Sequence, residues 1–222
     1  MRSSSLHTLV WRRPLDLQRY VCARPYLYHL THQANLNHLR ETGCLIPAAI
    51  LMQRAGCPQL IRARRRTHER IIVDGREIVI RDQAPLHAGK MRLPKGYNFE
   101  DFVEHLNRRI FFWPGSDVGP ISYGMRHFQR YRRERPLILR VDFDSLLRSN
   151  PAANPLFCRY NSGSPRCSNG KKIPRGPHMF VSTADFVEAP SRVVEVTFDI
   201  QIVLPPNTEF SERPTGPWRL LF

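Results

Sequence analysis

The sequence predicts an α+β fold. Three observations carry that prediction. Some segments space apolar residues as a helix does, as with Phe99, Phe102, Val103 and Leu106. Others are rich in β-branched and aromatic residues, as in PLILRVDF (136–143) and RVVEVTFDIQIVLP (192–205). Neither an internal repeat nor a low-complexity tract interrupts these runs of helices and strands. At 222 residues, one domain is favoured over two. Hydrophobic residues at 41 % and aromatics at 10 % are ordinary globular values and exclude wholesale disorder.

Residues 1–25 read as an N-terminal extension or short helix, with Leu15, Leu17, Tyr20 and Val21 apolar-periodic, that packs on a single domain at 26–222. Pro25 ends it. Tyr26–Thr31 has strand composition, and Gln33–Glu41 sets Leu36 and Leu39 on one helical face, with Gly43 just past the end. A second helix is expected over Pro47–Ala55. IIVDGREIVIRD (71–82) has two strand-like halves around Asp74-Gly75, the dipeptide of a tight hairpin. A helix follows over 99–109. RIFFWPG reads as a strand stopped by Pro114-Gly115. An Arg-rich amphipathic helix over 122–133 precedes the strand at 136–143, and Asp144–Leu147 forms a helical turn. NSGSPRCSNGKKIPRGP (161–177) reads as a long loop, and such loops are functional or disordered. The run at 192–205 is the last strong strand.

Charge is the strongest global signal: 34 Lys+Arg, nearly all Arg, against 19 Asp+Glu leave the chain at +15. A polyanion partner follows naturally from that excess, as does phosphate held in bidentate geometry, while a basic surface without function is the bland alternative. Five cysteines without a CxxC pair argue against a disulfide framework and a structural zinc site. The N-terminus lacks the apolar stretch of a secretory signal, and no run approaches the length of a membrane span. A reducing cytoplasm is the expected location.

His29 and His32, in YHLTHQANL (28–36), invite a metal reading. On a strand, however, residues three apart point to opposite faces, and HExxH, CxxC and clustered carboxylates are all missing, so no metal is expected. GxSxG, Walker A and GxGxxG patterns are also absent. In RVVEVTF, Glu195 alternates away from Val194, Val196 and Phe198; the habit of Glu favours a solvated face over a site. The Arg run RARRRTHER (62–70) is a solvated helix end or a phosphate clamp. FFWPG offers aromatic faces for a base or a nicotinamide ring, although core packing is the commoner use.

YHLTHQANL resembles the opening motif of the DarT family of NAD-dependent ADP-ribosyltransferase toxins, in which YHxTH is followed by Asn-Leu. Tyr28, His29, Thr31, His32, Asn35 and Leu36 agree with that pattern. Further anchors come in the family's order: the pair Arg65 and Arg66 before a strand, the aromatic strand Ile110 to Trp113 ending at Pro114, and Glu195 in a late strand. The resemblance extends over about residues 26–205 and is similar to a divergent bacterial branch.

The resemblance implies a split β-sheet with helices flanking an NAD groove, cleavage of the nicotinamide–ribose bond and transfer of ADP-ribose to a nucleobase. Glu195 would be the catalytic carboxylate, and Arg66 the catalytic arginine, with Arg65 its alternative. His29, Thr31, Asn35, Arg65 and Phe112 would line the NAD site. His32 would be a strand-end or capping residue. Arg64 and the loop residues Arg166, Lys171, Lys172 and Arg175 are the candidate nucleic-acid contacts. The acceptor would be RNA or single-stranded DNA, with protein as the alternative acceptor and an inactive basic binding module as the second alternative. An antitoxin partner is expected. The family's segment after the aromatic strand departs here to Pro114-Gly115-Ser116 and Gly119-Pro120, which leaves the acceptor base open.

Overall fold

The computed structural model describes residues 13–222 and is mixed α+β, with six α-helices among the described residues and a mostly antiparallel main sheet. Residues 1–12 of the expected extension lie outside the described residues. Helix α1 (Leu17–Ala23) starts at Asp16, whose carboxylate accepts the Arg19 N–H at 3.0 Å, and buries Tyr20 beside Leu15.

Strand β1 (Tyr26–His32) follows Pro25. The helix expected from Gln33 opens as a 3-10 turn and becomes α2 (Leu36–Thr42), closed by Gly43 at φ 61°. β2 (Cys44–Leu45) and α3 (Ala48–Arg54) come next. The hairpin of β3 (Glu69–Val73) and β4 (Arg76–Ile80) turns through Asp74 at φ 51° and Gly75 at φ 77°. Two positive φ values define the turn whose twist matches paired strands. After β5 (Met91–Arg92), α4 (Phe99–Asn107) begins with a reciprocal Asn98–Asp101 capping box.

Pro114-Gly115 does not stop the aromatic strand. β6 (Ile110–Ser116) runs through both residues and is met by β7 (Gly119–Pro120) folding back on it. A Cβ on Gly115 would lie 2.3 Å from the Gly119 carbonyl oxygen, so only glycine permits the approach. α5 (Ser122–Tyr131) and β8 (Pro136–Asp142) stand where expected, and the predicted turn after them is a full helix, α6 (Phe143–Ser149).

The remaining elements are short strands. They are β9 (Leu156–Cys158), β10 (Cys167–Ser168), β11 (Lys171–Pro174), β12 (Glu195–Phe198), β13 (Ile202–Val203), β14 (Glu209–Ser211) and β15 (Arg219–Leu220). The expected long loop thus holds a hairpin, turned by Asn169-Gly170 with both φ positive, and its β11 pairs in parallel with β5. The expected strand over 192–205 is broken after Phe198, and β13 leaves to pair with β2.

The main sheet has the order β15-β14-β8-β1-β6-β12-β9. Period-two alternation sorts its side chains. Leu27, Leu139, Val141, Phe112, Val196 and Phe198 join one cluster with α1, α2 and α6, whereas Tyr28, Trp113 and Ile138 meet Phe128 and Tyr131 of α5 on the other face. β1 pairs with β6 only at Tyr26↔Gly115, Leu27↔Pro114 and Tyr28↔Trp113. Beyond that point β1 continues along β8, and β6 along β12. The sheet parts between them. Among the described residues no helix is long and apolar enough to cross a membrane.

Candidate functional site

A cavity of about 260 Å³ opens where β1 and β6 part, closed on its far side by β4 and the segment Asn161–Gly163. His29 is the first residue of β1 past the last β6 pair, and its Nδ1 donates to the Phe111 carbonyl at 2.9 Å. A side chain thereby spans the gap that the two backbones leave. Burial lowers the His29 pKa to about 4, so the ring is neutral. With Nδ1 donating, Nε2 is an acceptor.

Glu195 opens β12 and lines the same cavity. It is 2 % exposed, which overturns the solvated-face reading. Alternation did place it opposite Val196, but that face of β12 turns into the cavity, where the 161–163 segment meets it, rather than into open water. Oε1 accepts the Ser162 N–H at 3.1 Å, while Oε2 is buried without a partner among the described residues. Loss of water raises the carboxyl pKa to about 7, against the lowering effects of the Ser162 bonds and Arg175. Cys158, its register partner, has its thiol pushed well above the ordinary range by burial and is no nucleophile.

The Arg run does not act as a unit. Arg62 bonds Asp101 and Glu104 of α4 at 2.6 and 2.8 Å. Arg64 donates to the Gln83 and Ala84 carbonyls. Arg66 is exposed and does not line the cavity. Of the run, Arg65 is the one turned inward. Arg65 lines the cavity, is 6 % exposed, and donates from Nε to the Arg81 carbonyl and from Nη1 to Asn107 Oδ1, each at 2.9 Å. Burial brings its pKa down to about 10.

Arg81 and Arg109 also line the cavity, and neither stood out in the sequence. The Arg81 guanidinium stacks on Tyr131 at 3.7 Å, and both its Nη atoms are buried without a partner among the described residues. Arg109 stacks on Phe180 at 4.7 Å with its Nε in the same condition. Buried donors left unpaired cost free energy, on the order of 1–3 kcal/mol each, that an anion would recover.

Thr31 and Asn35 line the cavity, with their polar groups partly committed. Asn35 Nδ2 donates to Thr31 Oγ1 and the Val79 carbonyl, and its Oδ1 accepts the Val79 N–H. One amide thus clamps β4 to the end of β1. Asn35→Ala is expected to lower stability by about 2–4 kcal/mol, because Val79 loses both partners in a buried place. An unchanged urea midpoint would refute that role. His32 caps the 3-10 turn, its Nδ1 accepting the Ala34 N–H.

Phe112 is not a cofactor platform. It is fully buried in the main core, edge-on to Phe198 at 5.8 Å, because alternation turns it away from the cavity. Phe111 and Trp113, one position either side, line the cavity instead, and the Trp113 Nε1 is buried and unpaired. His127 of α5 stacks on Trp113 at 4.5 Å.

Arg175 is likewise no surface contact. It is 4 % exposed, stacks on Tyr160 at 4.5 Å, and donates from Nη2 to the Asn161 carbonyl. It thereby holds the segment that gives Glu195 its hydrogen bond. Arg166, Lys171 and Lys172 are exposed.

Among the described residues one group has metal-ligand chemistry: His68, Asp82 and Glu134. The His68 ring sets Nδ1 at 2.9 Å from Asp82 and Nε2 at 3.1 Å from Glu134. The Asp82 N–H also lies 3.2 Å from Nδ1, so the ring ties the segment after β4 to the residues that follow α5.

Burial also lowers the His127 pKa, to about 3. For His29 and His127 the folded values lie below the unfolded one. Their contribution is therefore complete above pH 6.5 and lost as pH falls towards the folded values. Each ring is expected to remove about 3 kcal/mol of stability by pH 4. His127→Phe should flatten the acid limb of urea unfolding, and an acid limb parallel to that of the parent would contradict it.

Arg81, Arg109, His127 and Ser162 were not legible as site residues. Arg81 and Arg109 each follow an apolar segment, at the ends of β4 and α4, a position that in the sequence reads only as a solvated terminus. No curated protein and no solved structure matches the chain. Residues 25–205 match the family of unknown function DUF7002, and this span contains every cavity-lining residue from His29 to Glu195, so the chain belongs to that family.

Proposed function

We propose that this protein is an NAD-consuming ADP-ribosyltransferase that modifies a nucleobase of RNA or single-stranded DNA. The observation that carries the reading is Glu195, a buried carboxylate with one oxygen held and one open, in a cavity whose other unpaired polar groups among the described residues belong to Arg81, Arg109, Trp113 and His38. Cations for a pyrophosphate, an aromatic wall and one carboxylate are what NAD cleavage asks for. The cavity, at about 260 Å³, suits one half of a dinucleotide, with the rest lying outward.

Chemistry follows from the charges. Nicotinamide bound in NAD is a pyridinium cation and departs as a neutral pyridine, so no general acid is needed, unlike glycoside hydrolysis with its two carboxylates. The C1′–N bond breaks, its electron pair leaves with nicotinamide, and positive charge grows on the ribose. Ionised Glu195, through Oε2, accepts a ribose hydroxyl and stabilises that charge. Arg81 and Arg109 hold the pyrophosphate, Phe111 and Trp113 flank the nicotinamide, and His29 Nε2 accepts from the carboxamide or ribose. A base nitrogen or oxygen then attacks C1′ and releases its proton to solvent. Arg65, in place of Arg66, lies beside the reacting centre.

Residues with this activity make the protein a toxin, one requiring an antitoxin or a reversing hydrolase in its host. Since Glu195 must be ionised, kcat/KM for nicotinamide release is expected to rise with pH through about 7 and then level. A profile flat from pH 5.5 to 8.5, or no nicotinamide release with any acceptor, would overturn the reading.

A further inference from the structure

Helix α5 carries a basic, aromatic face of which only His127 reaches the NAD cavity. Tyr123, Arg126, His127 and Arg130 recur at helical spacing and all line a second cleft, of about 120 Å³, while Gly124, Phe128 and Tyr131 face the core. Arg159, Tyr160 and Arg166 line the same cleft, and no carboxylate does. Arg126, Arg130 and Arg166 are exposed and make no ion pair among the described residues. Tyr123 is 40 % exposed and carries the Arg126 guanidinium at 4.9 Å from its ring centre. Like charges gathered in a concavity repel one another, and a polyanion removes that repulsion. His127 and Asn161 line both this cleft and the cavity, so the two share a wall.

We infer that this cleft is the track for the acceptor, a single-stranded nucleic acid. Its phosphates lie on Arg126, Arg130 and Arg166, and a base stacks at Tyr123, the interleaving of cations and aromatic faces that single strands use. The next base passes His127 and Asn161 towards Glu195. A duplex cannot follow this path without unstacking. The inference rests on the ADP-ribosyltransferase reading for what happens at the end of the track, and stands apart from it for the binding itself.

The test is anisotropy of fluorescein-labelled 20-mer single-stranded DNA and RNA at several salt concentrations. Arg126→Ala/Arg130→Ala is expected to raise Kd at least about tenfold and to reduce the salt slope by about 1.4, two phosphates' worth. Tyr123→Ala should raise Kd about fivefold or more with the slope unchanged. Arg132→Ala/Arg133→Ala removes equal charge outside the cleft and should leave Kd within about threefold. Nicotinamide release without acceptor should be the same in all of them. A parent-like Kd in the α5 variant, equal loss in the control pair, or no oligonucleotide binding by the parent would overturn the track. Binding that behaves as expected in a parent that releases no nicotinamide would overturn the activity and leave the track standing.

Discussion

Glu195→Gln is expected to lower nicotinamide release by about 10²–10³-fold and, at pH 8, to stabilise the protein. Both effects come from one fact: the carboxylate stands in a dry place with an unpaired oxygen. Its folded pKa, about 7, lies above the ordinary 4.5, so its contribution is complete below pH 4.5 and is lost as pH rises through 7. By pH 8 the ionised group costs on the order of 3 kcal/mol. Glutamine keeps the acceptor for the Ser162 N–H and carries no charge. Urea unfolding should therefore show a gain of about 2–3 kcal/mol at pH 8 and almost none at pH 5. A variant less stable than the parent at both pH values would show that the carboxylate is not desolvated as described. Such a trade of stability for chemistry is characteristic of a site.

Arg81→Met should raise KM for NAD by at least about tenfold with a much smaller change in kcat. Charge-assisted hydrogen bonds to a phosphate contribute about 1.5–3 kcal/mol, and both Arg81 Nη atoms are free to make them. Methionine keeps the contact with Tyr131 and removes the unpaired donors, so unfolding should be unchanged or slightly harder. A KM equal to that of the parent would take Arg81 out of the pyrophosphate site.

The parts of the fold that were legible are those where a local rule and the tertiary context agree. Asp74-Gly75 specifies its hairpin through two positive φ values, and Phe99, Phe102, Val103 and Leu106 specify α4 through spacing alone. The rule failed where the backbone meets its own chain. Pro114-Gly115 reads as a stop, yet the close approach of Gly119 makes glycine the residue that lets the strand continue. Asn169-Gly170 carried a hairpin signal that the polar composition around it obscured.

The site was legible in part for a similar reason. His29, Thr31, Asn35, Arg65 and Glu195 do line one cavity. Phe112 and Arg66 do not line it, whereas their neighbours Phe111, Trp113 and Arg65 do, since alternation along β6 turns Phe112 to the core and Arg66 is exposed. Arg175 reads as a surface cation because its loop is polar, whereas its burial depends on Tyr160 and the Asn161 carbonyl, contacts with no sequence pattern.

The central claim is transfer of ADP-ribose from NAD by Glu195. Its most direct measurement uses NAD labelled in the adenylate phosphate, incubated with the purified protein and separate pools of single-stranded DNA, RNA and protein, with nicotinamide release followed in parallel. Covalent label in one nucleic-acid pool, matched by released nicotinamide and lost in Glu195→Gln, is the expected result. Label confined to protein would contradict the nucleic-acid acceptor, and label in no pool without nicotinamide release would contradict the enzyme.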